Sequence, residues 1–211
     1  MLTIRQCTAT VAAAVVLAGA GTTAVAAPLH DTRTAQPAAP VVTPSHFDDG
    51  SFETPRVAAN TFQDFTTGQS IGPWQVTSGT VDLIGAGYWQ AAEGDQSVDL
   101  NGTNTGAVAQ TFSTDSGKCY TVTYALAGNP AASPTVKTGE ALIDGQDFQD
   151  FSFDVTGKTF ANMGYVYRQF TFIATNASTT VTFASTTPNS DAGPVIDDVR
   201  IQPCCSCSSC G

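Results

Sequence analysis

Basic residues are scarce. The chain of 211 residues carries eight Lys and Arg against eighteen Asp and Glu, a formal net charge of -10. So few cations cannot neutralise a run of phosphates, which excludes nucleic acid and anionic membranes as partners. An acidic surface suits neutral glycans or divalent cations better. Histidine is scarcer still. His30 and His46 are the only two, and both precede the part of the chain patterned as a folded body. A Ser-His-Asp or Cys-His centre, or a His-rich zinc site, therefore cannot be assembled from that body's own residues. No phosphate-cradling Gly-rich motif with lysine occurs, and no dinucleotide-binding fingerprint. Two-carboxylate glycoside hydrolysis needs no further motif and is the one enzymatic chemistry left open. The chain reads as a non-enzyme.

Long apolar runs are also missing after the first twenty residues. Before that point, Arg5 is followed by an apolar stretch, 11–20, too short to span a bilayer comfortably. Ala24-Val25-Ala26 then supplies a small-x-small cleavage site. Residues 1–26 are expected to be a signal peptide, which makes the mature protein secreted or cell-surface associated, with no membrane insertion after cleavage. Removing Arg5 makes the charge one unit more negative. Residues 27–46, rich in Pro, Ala and Thr, read as a flexible spacer. Residues 47–203 form the expected folded domain, and 204–211 a Cys-rich tail.

Within 47–203 no helical period is sustained. Short runs alternate polar and apolar residues between Gly, Asn, Asp and Pro. Strands are expected at 96–100, 107–112, 118–127, 140–143, 148–155, 165–174, 179–183 and 194–201, with an early pair over 74–84 around Ser78-Gly79. Val122, Tyr124 and Leu126 share a face. So do Phe151, Phe153 and Val155, and so do Val166, Phe170 and Phe172. Nine or ten short strands at about ten-residue spacing argue for an all-β sandwich or jelly roll.

Three segments carry a resemblance. The first is Asp49-Gly50-Ser51-Phe52-Glu53, followed by Gly72-Pro73-Trp74. The second is Gly94-Asp95-Gln96-Ser97-Val98-Asp99-Leu100-Asn101-Gly102, with Gln110-Thr111-Phe112 downstream. The third is Gly193-Pro194-Val195-Ile196-Asp197-Asp198-Val199. In order and spacing, over 47–202, they resemble the domain of unknown function 642 family of plant cell-wall proteins and its bacterial relatives, the choice-of-anchor C proteins. More distantly they are similar to carbohydrate-binding modules that open with Asn-Gly-x-Phe-Glu and close with Asp-Asp-Val. The resemblance implies a single galactose-binding-like jelly-roll β-sandwich, extracellular location, polysaccharide binding and no catalysis. Two features depart from the plant pattern: one domain instead of two, and Asp49 where the opening motif has Asn.

The resemblance also implies a structural calcium ion, because related sugar-binding sandwiches bring their opening Glu and closing Asp together on one. The matching residues are Glu53 and Asp197. By alternation Asp197 shares an apolar, inward face with Val195, Val199 and Ile201, so it needs either a cation or backbone N–H donors. Asp198 falls on the other face beside Arg200, where a local ion pair is expected.

Sugar recognition needs flat aromatic surface beside planar polar groups. Tyr165 and Tyr167 alternate away from Val166, Phe170 and Phe172 and are one candidate stacking platform. Tyr88 and Trp89, in a Gly-rich loop before Asp95 and Gln96, are a candidate rim. Trp74 is expected in the core. Export favours disulfides. The candidates are Cys119, alone in the body, and Cys204, Cys205, Cys207 and Cys210. Cys119 is expected to bridge to one tail cysteine. Five cysteines are an odd number, so a free thiol or a disulfide-linked partner is expected as well. The leading reading is a secreted, non-catalytic polysaccharide-binding module. Its rival is a structural or adhesive surface protein joined through the tail.

Overall fold

The computed structural model describes residues 46–204. The expected leader, the spacer before His46 and the tail cysteines Cys205, Cys207 and Cys210 lie outside them. The described residues form strands and no helix. In chain order these are β1 (Phe62–Thr66), β2 (Ser70–Ile71), β3 (Trp74–Ser78), β4 (Thr80–Ile84), β5 (Ser97–Asp99), β6 (Ala107–Ser113), β7 (Cys119–Gly128), β8 (Val136–Ile143), β9 (Gln146–Asp154), β10 (Val166–Ile173), β11 (Ser178–Ser185) and β12 (Pro194–Pro203).

They build two six-stranded sheets, ordered β1-β4-β5-β12-β7-β10 and β2-β3-β6-β11-β8-β9. Every strand pairing within them is antiparallel. This is the expected all-β jelly-roll sandwich. The period-two reading located most strands but missed β1 and β2. Phe62-Gln63-Asp64-Phe65-Thr66 has too few apolar residues to show the period, and a two-residue strand has none.

The 74–84 segment needs a correction. β3 and β4 do not pair with each other. β3 joins β2 and β6, while β4 joins β1 and β5. The turn at Gly79 carries the chain from one sheet to the other. Its φ of +57° is left-handed, and a Cβ there would lie 1.9 Å from the Thr105 carbonyl oxygen. Only glycine fits.

Alternation places the core between the sheets. Val122, Tyr124 and Leu126 of β7, Val81 and Leu83 of β4, and Val98 of β5 are fully buried. From the other sheet come Trp74, Val76, Val181 and Phe183, all at most 1% exposed. Phe183 lies 4.9 Å from Tyr124 and 6.2 Å from Trp74, ring centre to ring centre. Each such side chain contributes about 1.5–3 kcal/mol by leaving water. Of the expected inward sets, Phe151, Phe153 and Val155 are buried, as is Phe172, whereas Phe170 is half-buried and Val166, on the edge strand β10, is 40% exposed.

β12 holds a second correction. Ile196, not Asp197, faces the core, because it pairs with Leu126 and Val98. Val195 and Asp197 pair with Ala127 and Ala125, on the outer face of the first sheet. A bulge between Asp197 and Arg200 then reverses the parity, so that Ile201 pairs with Val122. Asp198, inside the bulge, takes φ +45°. Strict alternation through a bulge assigns the wrong face.

A disulfide joins Cys119 to Cys204, with a sequence separation of 85 residues. The expected bridge from Cys119 to a tail cysteine is therefore made by the first of them. Cross-linking so long a loop restricts the unfolded chain, an effect of about 2–4 kcal/mol. The Cys119→Ser/Cys204→Ser double variant should lose about that much in urea unfolding. A loss below about 0.5 kcal/mol would show that the bridge does not stabilise the domain.

Candidate functional site

The three sequence motifs meet in space. Glu53 Oε1 accepts the backbone N–H groups of Asp95 (2.7 Å) and Gln96 (2.8 Å). Asp197 Oδ2 accepts those of Ala92 (2.7 Å) and Glu93 (3.1 Å), and its Oδ1 accepts that of Asp198 (2.6 Å). The two acids grip one segment, 92–96, from two sides. Gly94 makes this possible. Its φ is +60°, and a Cβ would lie 2.3 Å from Glu53 Oε1.

Gln96 completes the clamp. It is 1% exposed. Its Oε1 accepts the N–H of Val57 (2.7 Å), and its Nε2 donates to the carbonyls of Phe52 (2.7 Å) and Pro55 (3.0 Å). Gln96 therefore has no polar group to offer a ligand, contrary to its place in the expected rim. Asp95 is also engaged, in an ion pair with Arg56.

The carboxylates of Glu53 and Asp197 do not fit a shared cation as arranged. The donors point N–H hydrogens at Glu53 Oε1 and at both Asp197 oxygens, where a cation needs lone pairs. The remaining oxygen, Glu53 Oε2, stands 3.8 Å from the Arg56 guanidinium. Burial pushes Asp197 up to about 7, while its three N–H donors pull it down. Asp198 forms the expected local ion pair, accepting from Arg200 Nε at 2.7 Å.

The clamped segment belongs to a loop, 85–96, that covers the outer face of the first sheet. Trp89 donates from Nε1 to Ser97 Oγ (2.8 Å) and is only 5% exposed. Gln90 ties the loop to the β9–β10 connection through Phe160 O and the Met163 N–H. Tyr165 is corrected here. It faces away from the inter-sheet core, as read, but these loops cover it, and its hydroxyl is buried without a hydrogen-bond partner. It offers no platform. Tyr167 is exposed as expected, at 59%, and its hydroxyl donates to Asp198 Oδ2 (2.8 Å).

Where the cover ends, above β1, β4 and β5, the outer face opens into a cleft of about 470 Å³. Phe62, Tyr88 and Trp89 make one wall. The rings of Phe62 and Tyr88 meet edge-on at 5.6 Å, and Tyr88 also touches Phe160 at 5.5 Å. Phe62 is 46% exposed. Thr103, Asn129 and Asp191 stand among the lining residues from other loops, and the floor is acidic.

The floor follows from register. Asp64 of β1 pairs with Asp82 of β4, which pairs with Asp99 of β5. Direct cross-strand partners share a face, so three carboxylates form one row across the sheet. Asp99 is satisfied by the N–H groups of Asn101 (2.9 Å) and Gly193 (3.0 Å) and by Asn129 Nδ2 (2.8 Å). Asp82 is less well served. It is 9% exposed, and its Oδ1 is buried with no partner. Burial, the Asp64 carboxyl beside it and the charges of Asp99 and Asp191 push its carboxyl up to about 9.

Of the expected ligand residues, the structure brings Tyr88 and Trp89 into the cleft and leaves Tyr165, Tyr167, Asp95 and Gln96 outside its lining. Sequence reading missed Phe62, Asp64, Asp82, Asn129 and Asp191. One signal was available: Thr80-Val81-Asp82-Leu83-Ile84 places an acid within an apolar strand, the same anomaly that singled out Asp197.

A family model described as "Protein of unknown function (DUF642)" matches residues 45–202. Halomucin of Haloquadratum walsbyi is 29% identical over 164 residues, covering 75% of this chain and 2% of that protein. The chain thus spans about 2% of the length of this curated relative. Among solved structures, CBM35 from Paenibacillus barcinonensis is 14% identical with a TM-score of 0.43, covering 67% of this chain and 98% of that one. TmCBM61, solved in complex with beta-1,4-galactotriose, is 14% identical with a TM-score of 0.44, covering 76% and 99%.

Proposed function

We propose, from the premise that the chain belongs to the DUF642 family, that it is an extracellular, non-catalytic module binding a polysaccharide in the cleft above β1, β4 and β5. One observation carries the reading. An aromatic wall, exposed Phe62 and half-buried Tyr88, stands beside the carboxylates and amide of Asp64, Asp82, Asp191 and Asn129 in one open cleft. Aromatic faces cover the apolar patches of a pyranose ring, and carboxylates and amides accept and orient its hydroxyls.

The test is retention of the full chain on a panel of soluble and insoluble polysaccharides. Retention should appear on at least one of them. It should weaken about tenfold or more in Phe62→Ala and in Tyr88→Ala, a loss of about 1.4 kcal/mol or more. Tyr167→Ala should bind as the parent does. Folded protein that is retained on nothing would favour the structural surface-protein reading.

A further inference from the structure

The geometry points to a calcium site on the floor of the cleft, with Asp82 as its buried ligand and Asp64 as its exposed one. The inference begins with an oxygen that has no partner. Asp82 is 9% exposed and lines the cleft, yet its Oδ1 is shielded from water and receives no hydrogen bond. A buried carboxylate oxygen without a donor is costly. Its neighbours add to the cost, since Asp64 and Asp99 flank it in the same row and Asp191 lines the same cleft.

Among the described residues no side chain hydrogen-bonds or ion-pairs with this oxygen. Lys137, the cation acting on Asp99 and Asp191, donates its ammonium to the carbonyls of Ala132 (2.7 Å) and Ala192 (2.8 Å). Asp99 has both oxygens occupied by N–H donors. Asp82 Oδ1, buried beside Gly102, and the exposed Asp64 carboxylate are left as lone-pair donors on adjacent strands. Together they supply about two or three of the roughly six to eight oxygens of a calcium shell. Calcium accepts such mixed, incomplete sets because water or hydroxyl oxygens fill its remaining positions. In this cleft those hydroxyls would come from the bound saccharide, so the inference deepens the polysaccharide reading and rests on it for that last step alone.

A second acidic group supplies the control. Glu140, Asp147 and Asp150, on β8 and β9, bring carboxylate oxygens within 4.8 Å of one another. None of them holds a buried oxygen without a partner, so nothing there calls for an ion.

The experiment titrates calcium chloride, to about 10 mM, into the chelator-stripped full chain by calorimetry, without saccharide. One site is expected, with Kd of about 10⁻⁴–10⁻³ M, the range of extracellular modules. Asp82→Asn should weaken it at least tenfold, and Asp64→Asn should weaken it while touching only an exposed position. Glu140→Gln/Asp150→Asn should bind as the parent does. Thermal unfolding checks that each variant is folded. No calcium binding by the parent, unchanged binding in Asp64→Asn, or loss in the β8–β9 variant would overturn the assignment. Polysaccharide retention that persists in chelator while calcium binding is absent would sink the cation site and leave the module standing. Calcium binding without retention on any polysaccharide would do the reverse.

Discussion

Trp74→Ala should lose about 4 kcal/mol of folding free energy and about 10–15 °C in thermal midpoint. The indole is fully buried between the sheets. It packs against Phe52 at 4.9 Å and against Phe47 at 5.7 Å, and its Nε1 donates to the Asp49 carbonyl (2.9 Å). Alanine removes the apolar contacts and leaves a cavity, because a close-packed interior collapses only partly. It also removes one of the two hydrogen bonds that Asp49 O accepts, leaving the one from the Phe52 N–H (3.2 Å), at a residue that organises the opening motif by accepting the N–H groups of Glu53 and Thr54 through its carboxylate. Domains of this size are stable by about 5–15 kcal/mol, so the loss takes a large share. Chemical denaturation at two temperatures measures it. A loss below about 1 kcal/mol would mean that the Trp74 site is not the packed centre described here.

Asp197→Ala should lose about 3 kcal/mol, and the loss should be the same with calcium or with chelator present. The carboxylate accepts three backbone N–H groups, from Ala92, Glu93 and Asp198. Removing it strands donors in a region where Asp197 itself is fully buried. Hydrogen bonds to a charged acceptor are worth more than neutral ones, and breaking several at once adds the desolvation cost of the stranded groups. Because the same bonds hold the loop that carries Tyr88 and Trp89, polysaccharide retention should fall together with stability. A loss of stability seen only when calcium is present would show that Asp197 acts through an ion instead of through N–H donors.

The architecture was readable because period-two patterning survives wherever one face is buried. β7, β9 and β11 announce themselves in this way. What the pattern does not encode is which sheet a strand joins. β3 and β4 are contiguous in sequence, separated only by Gly79, and belong to different sheets. The close approach of Gly79 to Thr105 decides this, a contact between residues 26 apart in sequence.

The candidate site was legible in part for a related reason. Tyr88 and Trp89 stood out as aromatics in a Gly-rich loop, and the cleft uses both. Tyr165 did not follow its alternation to solvent, because loops distant in sequence cover that face. Asp197 was marked as an acid in need of a cation or of N–H donors, and it accepts three N–H groups. The bulge at 197–200 misled its facing, and its donors come from a segment 105 and 104 residues away. The row of Asp64, Asp82 and Asp99 exists only through register, which no single strand reveals.

The most direct measurement is a residue-resolved map of binding. Backbone amide shifts of the full chain would be followed by NMR on adding the shortest oligosaccharide of whichever polysaccharide retains it. The expected result is a contiguous set of shifted amides at Phe62, Asp64, Asp82, Tyr88 and Thr103, with Tyr167 undisturbed. Shifts centred on Tyr167 and Asp198, with the cleft silent, would contradict the assignment of the cleft as the polysaccharide site.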